Sequence, residues 1–198
     1  MKIDERLLAL REKAKTGRDP TTADETLDCL LHWARQHGAK RILEIGAGEG
    51  YTSCALLLQN TGATLTAIEL LPERAARARA LYRRFGVDGR ATLLEGDAGE
   101  ILPLLEGEYD MIFLDGPKVQ YLNYLPHCKR LLKRGGALFS DDVLLFGWVR
   151  GEAPKKRRML VEHIREYLAA LEADGDFTTE ILEYGEGLAV STKKQRKP

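Results

Sequence analysis

Residues 41–51 read R-I-L-E-I-G-A-G-E-G-Y, a sequence typical of a strand that runs into a glycine-rich turn. The first five residues predict a short buried strand, and the three glycines that follow predict a sharp turn into a helix. Glycine suits such a turn because a Cβ would block both the tight backbone and the close approach of a ligand. A strand, a glycine turn and a helix in this order indicate a nucleotide-type binding site, although a turn with a purely structural role is the alternative.

The chemistry of this turn differs from that of a dinucleotide site. Its spacing is G-A-G-E-G rather than G-x-G-x-x-G, and Glu44 lies two residues before Gly46. A carboxylate at this position would repel a pyrophosphate but could hold the ammonium group of an amino-acid-like ligand. The turn therefore favours a ligand with an amino-acid end.

Strand and helix patterns alternate from this stretch to the end of the chain. This alternation predicts an α/β, Rossmann-like fold in which a mostly parallel seven-stranded sheet has helices on both faces. The last two strands follow a helix and predict an antiparallel hairpin. The predicted strands are 41–45, 64–69, 91–95, 111–114, 136–140, 178–184 and 188–192, and the predicted helices between them are 51–59, 72–85, 99–105, 119–133 and 155–173.

The 198 residues, of which 44% are hydrophobic, predict a single domain with one substantial core;. Residues 1–38 precede the first strand and predict two helices separated by a break at 17–20. Thr22 and Glu25 have the spacing of a capping box at the start of the second helix. Residues 193–198 predict a loose basic tail.

Composition excludes some classes of protein and leaves others open. No apolar run is long enough to cross a bilayer, and the charged N-terminus lacks the apolar segment of a signal peptide;. Three scattered cysteines predict neither disulfides nor a zinc site, which favours the cytoplasm. Thirty basic and 30 acidic residues cancel, so composition alone does not indicate nucleic-acid binding. The basic residues are nevertheless clustered, at Lys155, Lys156, Arg157 and Arg158 and again at Lys193, Lys194, Arg196 and Lys197;.

Acidic residues close four of the predicted strands, at the edge of an open α/β sheet where ligands bind. Glu69 ends the second strand and is placed to accept hydrogen bonds from a ribose diol, unless it is merely an exposed loop residue. Asp97 follows the third strand and could face an adenine amino group, but it could equally cap the helix that begins at Ala98.

Three further carboxylates follow the fourth and fifth strands. Asp115 lies in F-L-D-G-P-K, and Asp141 with Asp142 lies in S-D-D-V. Neighbouring carboxylates repel each other unless a cation compensates them. A hard divalent ion such as Mg²⁺, which prefers oxygen ligands, would do so. Asp142 could alternatively be a loop-capping residue.

Two resemblances follow from these motifs. The glycine turn resembles the cofactor turn of class I methyltransferases, which use S-adenosylmethionine (SAM). D-G-P-K followed by S-D-D-V resembles the signature of the cation-dependent O-methyltransferases, the group that contains the catechol and caffeoyl-CoA enzymes. That resemblance implies that Asp115, Asp141 and Asp142 bind the metal and that Asp115 and Lys118 are catalytic, with Lys118 as a base or as a group that orients the substrate hydroxyl. Asp142 stands where the family usually has Asn, which could shift the preferred ion toward Mn²⁺.

The resemblance also gives a predicted set of cofactor contacts. These are Glu44, Gly46, Gly48, Gly50, Tyr51, Ser53, Glu69, Asp97, Ala98 and Asp115.

One branch of that family is similar over a longer stretch. D-G-P-K-V-Q-Y, D-D-V-L-L-F-G-W-V, the K-K-R-R run and Y-G-E-G-L-A-V-S resemble the bacterial tRNA 5-hydroxyuridine methyltransferases, which make 5-methoxyuridine at the wobble position. The resemblance implies a tRNA substrate, phosphate contacts from the basic clusters and a homodimer. Two alternatives remain, a small catechol-like or caffeoyl-CoA-like phenol and a noncatalytic SAM-binding partner subunit. Trp148 could stack on a base or could pack under the sheet edge, and Arg150 is a further candidate for a phosphate contact.

Overall fold

The computed structural model describes residues 4–16 and 21–195. Within them a seven-stranded sheet has the order β3-β2-β1-β4-β5-β7-β6. Strands β1 to β5 pair in parallel, whereas β7 pairs antiparallel with both β5 and β6. The predicted fold, with its antiparallel hairpin, is therefore confirmed. The strands are β1 Arg41–Ile45, β2 Thr64–Glu69, β3 Ala91–Glu95, β4 Tyr109–Leu114, β5 Leu132–Ser140, β6 Phe177–Leu182 and β7 Leu188–Lys193.

Helices cover both faces of this sheet, because successive residues of each buried strand point to opposite faces. Ile42 contributes to a core under the helices that precede β3, and Leu43 contributes to a second core under the later helices. The helices are α1 Glu5–Thr16, α2 Asp24–Gln36, α3 Tyr51–Gln59, α4 Pro72–Arg84, α5 Ala98–Ile101, α6 Tyr121–Leu131 and α7 Arg158–Ala173. Short 3₁₀ turns at Lys118–Gln120 and Lys155–Arg157 precede α6 and α7.

The start of α2 differs from the prediction. The helix begins at Asp24, and its N-cap residue Ala23 makes no side-chain capping bond, so the predicted capping box of Thr22 and Glu25 is wrong. The physical reason is a competing partner, since the Thr22 hydroxyl lies 2.9 Å from the Thr52 hydroxyl of α3. This contact ties the segment before α2 to the helix that follows the glycine turn. The predicted break at 17–20 lies outside the described residues.

The basic tail also differs from the prediction where the structure describes it. Lys193 is the last residue of β7, and its ammonium donates to the backbone carbonyls of Lys129 and Leu132, both at 2.7 Å. Lys194 donates to the Gly175 carbonyl at 3.0 Å. These two side chains are therefore engaged by the protein itself, while Arg196 and Lys197 lie outside the described residues. Within residues 4–16 and 21–195, no helix has the length and apolar character needed to span a bilayer.

Candidate functional site

The glycine turn follows β1 and packs against the backbone at the end of the neighbouring strand β4. Gly46 has a φ of +93°, and a Cβ at this position would collide with the backbone carbonyl of Asp115 at the end of β4. The Gly46 and Ala47 amides both donate to the Ile68 carbonyl of β2, at 2.9 and 3.0 Å. Gly46 thus lets three neighbouring strand ends meet at one point, which is the edge where a ligand of an α/β sheet binds.

Glu69 closes β2 and is almost fully buried. One of its carboxylate oxygens accepts a hydrogen bond from the Gly48 amide at 2.7 Å, and the other accepts from the Leu71 amide at 2.9 Å. Each oxygen has a second lone pair, so the carboxylate is fixed by the backbone and can still accept hydrogen bonds from a ligand. This geometry supports the predicted contact with a ribose diol.

Glu44 lies in β1, two residues before the turn, and is only 1% exposed. Burial raises the pKa of this carboxyl group to about 8. The hydrogen bond from Ser53 opposes this rise, and the nearby charges of Asp115 and Glu69 add to it. The Ser53 hydroxyl points down to Glu44 and is fully buried, so it does not line the cavity above the turn. Thr52, which the sequence prediction omitted, lines that cavity instead.

Two connected cavities run along this edge of the sheet. The first, of about 260 Å³, is bordered by Glu44, by the turn with Tyr51, and by Lys118 and Asp142. The second, of about 280 Å³, extends toward Asp97 and Ala98. Residues common to both are Gly46, Glu69, Arg74 and Asp115. Together the cavities form one elongated trough, which suits a ligand with two chemically different ends.

Asp97 caps a helix, which is one of the two roles that the sequence left open, and its contact with an adenine amino group stays a prediction. Its Oδ1 accepts a hydrogen bond from the Gly99 amide at 2.6 Å, so it caps α5. The same residue borders the second cavity. A capping carboxylate keeps further acceptor capacity, so capping does not prevent a contact with a ligand amino group.

Lys118 connects two of the three predicted metal ligands. Its ammonium lies 2.8 Å from Oδ1 of Asp115 and 3.0 Å from Oδ2 of Asp142. Burial alone would lower the pKa of Lys118, but the carboxylates of Asp115 and Asp142 and the hydrogen bond to Asp115 outweigh burial and raise it well above its usual value. Lys118 is therefore an ammonium ion in this arrangement, which makes it a proton donor and a positive charge rather than a base.

Asp141 is the most enclosed of the three aspartates, at 3% exposure. Its Oδ1 lies 3.4 Å from the Thr26 hydroxyl. Burial, and then the charges of Asp115 and Asp142, raise its pKa to about 7. The three aspartates border a third cavity of about 350 Å³ that adjoins the trough. The structure thus brings the predicted metal ligands to one place, as expected for carboxyl ends of adjacent parallel strands.

These residues fit a divalent cation in their donor chemistry. They are hard oxygen donors. Burial first, and then the neighbouring carboxylates, raise the pKa of Asp115 and of Asp141, and Lys118 opposes this rise without cancelling it. The arrangement itself is not a coordination site, because among residues 4–16 and 21–195 no group of three His, Cys, Asp or Glu side chains is placed to hold a metal. Lys118 lies between two of the acids and would have to move for a cation to bind all three.

The loop after β5 carries a residue that sequence patterns do not single out, Phe146. Asp142, Leu145 and Phe146 all have left-handed backbones, with φ of +55°, +46° and +58°. Non-glycine residues in this region are strained, and such strain is concentrated at functional sites. Phe146 is 67% exposed, and its ring lies 5.0 Å from that of the half-buried Trp148. Arg150, a candidate for a phosphate contact, forms an exposed ion pair with Glu183.

Comparisons with known proteins agree with this geometry. A family model described as O-methyltransferase matches residues 11–194. The chain is 31% identical over 196 residues to a protein of Mycobacteroides abscessus named "Putative O-methyltransferase", with 96% of this chain and 89% of that protein covered.

Two solved structures share the fold over almost the whole chain. One is the methyltransferase PaMTH1 of Podospora anserina with bound S-adenosylhomocysteine (SAH), which is 26% identical with a TM-score of 0.88 and covers 98% of this chain and 89% of its own. The other is TomG of Streptomyces achromogenes, an O-methyltransferase of tomaymycin synthesis in complex with SAM. It is 25% identical with a TM-score of 0.86, and the match covers 98% of this chain and 92% of TomG.

Proposed function

The chain belongs to the O-methyltransferase family and is a SAM-dependent enzyme, and on this premise we propose that it methylates the 5-hydroxyl of 5-hydroxyuridine at the wobble position of tRNA, with a divalent cation at the acceptor site. The product is 5-methoxyuridine. The support comes from the trough, from the acids and Lys118 at its end, and from the charge of the surface beyond it.

The cofactor occupies the trough in this proposal. Glu44 holds the ammonium of its amino-acid end, Glu69 accepts from the ribose diol, and Asp97 faces the adenine. SAM supplies a methyl group carried on a sulfonium ion. The trough supports this orientation because it has the buried carboxyl group of Glu44 in one part and a more open, partly apolar part near Leu70 and Leu71.

Lys118 and the aspartates act on the acceptor hydroxyl. Because Lys118 keeps its proton, it orients the substrate oxygen and stabilises the negative charge that this oxygen gains as its proton leaves. A carboxylate that would hold a cation is not free to accept the hydroxyl proton, so that proton leaves to water. Holding the oxygen and the methyl group in line contributes several kcal/mol, by rough estimate.

A divalent cation would be held by Asp115, Asp141 and Asp142, and it would lower the pKa of a bound hydroxyl. The 5-oxygen and 4-carbonyl of 5-hydroxyuridine are adjacent, as are the two oxygens of a catechol, so both substrate types offer the same oxygen pair. Mg²⁺ is the proposed ion, with Mn²⁺ as the alternative because Asp142 adds a charge where the family usually has Asn.

The observation that carries the tRNA proposal is the position of the basic run at residues 155–158. All four side chains are exposed and form no ion pair with any residue that the structure describes. The hydroxyl of Tyr167 in α7 contacts that of Ser140 at the carboxyl end of β5. Arg158 comes nine residues earlier in the same helix, so it lies about 13 Å from Tyr167 along the helix axis. Exposed positive charge that no described residue neutralises favours a polyanionic substrate.

A direct assay tests this function. The protein is incubated with labelled SAM, Mg²⁺ and tRNA that carries 5-hydroxyuridine, in parallel with catechol and with tRNA that carries unmodified uridine at the same position. Label in the hydroxylated tRNA alone supports the proposal. Label in catechol alone refutes the tRNA substrate and supports the small-phenol alternative. A cytoplasmic location and a homodimer remain predictions, the first in keeping with the unbonded Cys29, Cys54 and Cys128.

A further inference from the structure

Three buried side chains form a hydrogen-bonded series beneath the glycine turn. Tyr82 of α4 is 2% exposed, and its hydroxyl lies 2.8 Å from the Ser53 hydroxyl. Ser53 is fully buried and donates a short hydrogen bond to Oε2 of Glu44. The series therefore begins at a residue of α4 that does not border the cavities and ends at a carboxyl group that does.

The direction of this series follows from the number of protons. A serine hydroxyl has one proton to donate, and Ser53 gives it to Glu44. Ser53 must then accept from Tyr82, so the order is Tyr82 to Ser53 to Glu44. Each donor in the series is fixed by the next acceptor, which leaves Glu44 with one orientation and leaves its other oxygen free to face the cavity.

The ring of Tyr82 also supports the turn itself. Gly50 has a φ of +83°, and a Cβ at this position would lie 2.7 Å from Cε1 of Tyr82 and 3.0 Å from Cβ of Ala78. The turn therefore rests directly on the tyrosine ring. The ring contacts the backbone of the turn, while the hydroxyl acts on the carboxylate through Ser53.

We propose that Tyr82 is a positioning residue of the methyl-donor site, which through Ser53 holds the Glu44 carboxyl group in the orientation that binds the cofactor ammonium. This inference rests on the proposed placement of the cofactor amino-acid end at Glu44. Tyr82 does not touch the cofactor, and its ring and its hydroxyl have separable effects. Replacement by phenylalanine removes the hydroxyl and keeps the support under Gly50.

The test compares two ligands that differ in the amino-acid end. SAH carries it, whereas 5′-methylthioadenosine has the same adenosine and thioether without it. In calorimetric titrations, Tyr82→Phe should bind SAH about fivefold to tenfold more weakly, the size expected for one buried hydrogen bond, and should bind 5′-methylthioadenosine as the unaltered protein does. Ser53→Ala should show the same selectivity, and the double variant should lose little more than either single one because the residues act in series.

Tyr167→Phe is the matched control. Tyr167 is another buried tyrosine whose hydroxyl contacts a buried serine, Ser140, away from the glycine turn. Tyr167→Phe should lose about as much thermal stability as Tyr82→Phe does, and its affinity for SAH should not change.

Three results would overturn the proposal in distinguishable ways. Equal loss of both ligands in Tyr82→Phe would mean that the hydroxyl acts on the turn as a whole. Unchanged SAH binding in Tyr82→Phe, when Glu44→Gln weakens it, would mean that the series does not orient Glu44. Unchanged SAH binding in Glu44→Gln itself would mean that the proposed placement of the ammonium is wrong.

Discussion

The ammonium of Lys118 lies 2.8 Å from the carboxylate of Asp115, the residue that directly follows the central strand β4. A second aspartate, Asp142, lies 3.0 Å from the same nitrogen. Two carboxylates close to one buried ammonium stabilise its charged form. Lys118 therefore provides a fixed positive charge beside the cavity that the three aspartates border. This arrangement separates two possible roles of Lys118, as a base and as a charge.

Lys118→Met should lower kcat by about a hundredfold or more, the usual loss when one preorganised donor is removed, with SAH affinity unchanged. Lys118→Arg should retain more activity, because arginine keeps the charge and cannot act as a base. Lys129→Met is the matched control, since Lys129 also lies between two aspartates, Asp174 and Asp176, at 2.7 and 3.0 Å. Equal inactivity of the Met and Arg variants would indicate proton transfer by Lys118.

Stability should depend on pH through Glu44. Its pKa in the folded protein is about 8, raised by burial from an ordinary value of 4.5. The folded state therefore holds this proton more tightly than the unfolded state does, and the stabilisation is complete below pH 4.5 and is lost as pH rises toward 8. The melting temperature of the ligand-free protein should fall across this window. Glu44→Gln should flatten the curve, and parallel curves for both proteins would contradict the assigned pKa. Part of the slope should persist because Asp141 titrates in the same direction.

The basic run should contribute to tRNA binding and not to cofactor binding. Arg157→Gln with Arg158→Gln should weaken tRNA binding and reduce the slope of log K against log salt by about 0.7–0.9 for each lost phosphate contact. Arg83→Gln with Arg84→Gln removes the same charge from the last turn of α4, which runs away from the strand ends that form the site. That control should leave both quantities unchanged. If the two double variants weaken tRNA binding equally, positive charge would contribute to binding wherever it lies on the surface.

The strand ends could be predicted from the sequence because local patterns determine them. Strands β1, β2 and β3 have the predicted bounds, and each predicted acid lies at the carboxyl end of its strand. The predicted starts of β4 and β5 are too late. Both strands begin earlier, at Tyr109 and Leu132, where they pair with each other before a register shift. Such an irregularity depends on the neighbouring strand, so it cannot be predicted from the hydrophobic pattern of one segment.

The residues that sequence analysis misses are those whose roles come from distant contacts. Arg11 is not among the apolar residues of α1, yet it is 2% exposed because its guanidinium reaches the Thr22 carbonyl at 2.6 Å and Asp24 at 3.0 Å. In the sequence Tyr82 is an ordinary helix residue, and only its contact with Ser53 gives it a role. Phe146 is distinguished by its left-handed backbone and its exposed ring, and neither feature can be inferred from the sequence.

Two glycines of the turn should tolerate substitution differently. Gly46→Ala would place a Cβ against the Asp115 carbonyl, so it should cost at least about 2 kcal/mol of unfolding free energy. Gly48 has a φ of +54°, and a Cβ added there would meet no atom within 4 Å, so Gly48→Ala should cost about 1 kcal/mol from backbone strain alone. Urea unfolding measures both. Equal costs would mean that the close approach of the two strand ends is not required.

The last prediction concerns the aspartate that stands where the family usually has Asn. Asp142→Asn keeps the local backbone, because Asn tolerates a φ of +55° as well as Asp does;. It removes one of the charges that attract a cation, so Mn²⁺ should bind about tenfold more weakly, as measured by calorimetry without substrate. Asp176→Asn is the control, since Asp176 is equally exposed at 38% and lies at the same 3.0 Å from a lysine.

Removal of metal by a chelator should abolish turnover in the unaltered protein, and Mg²⁺ or Mn²⁺ should restore it. If neither the unaltered protein nor Asp142→Asn binds Mn²⁺, and the chelator-treated enzyme keeps full activity, the aspartates of the site hold Lys118 as their only cation throughout the reaction.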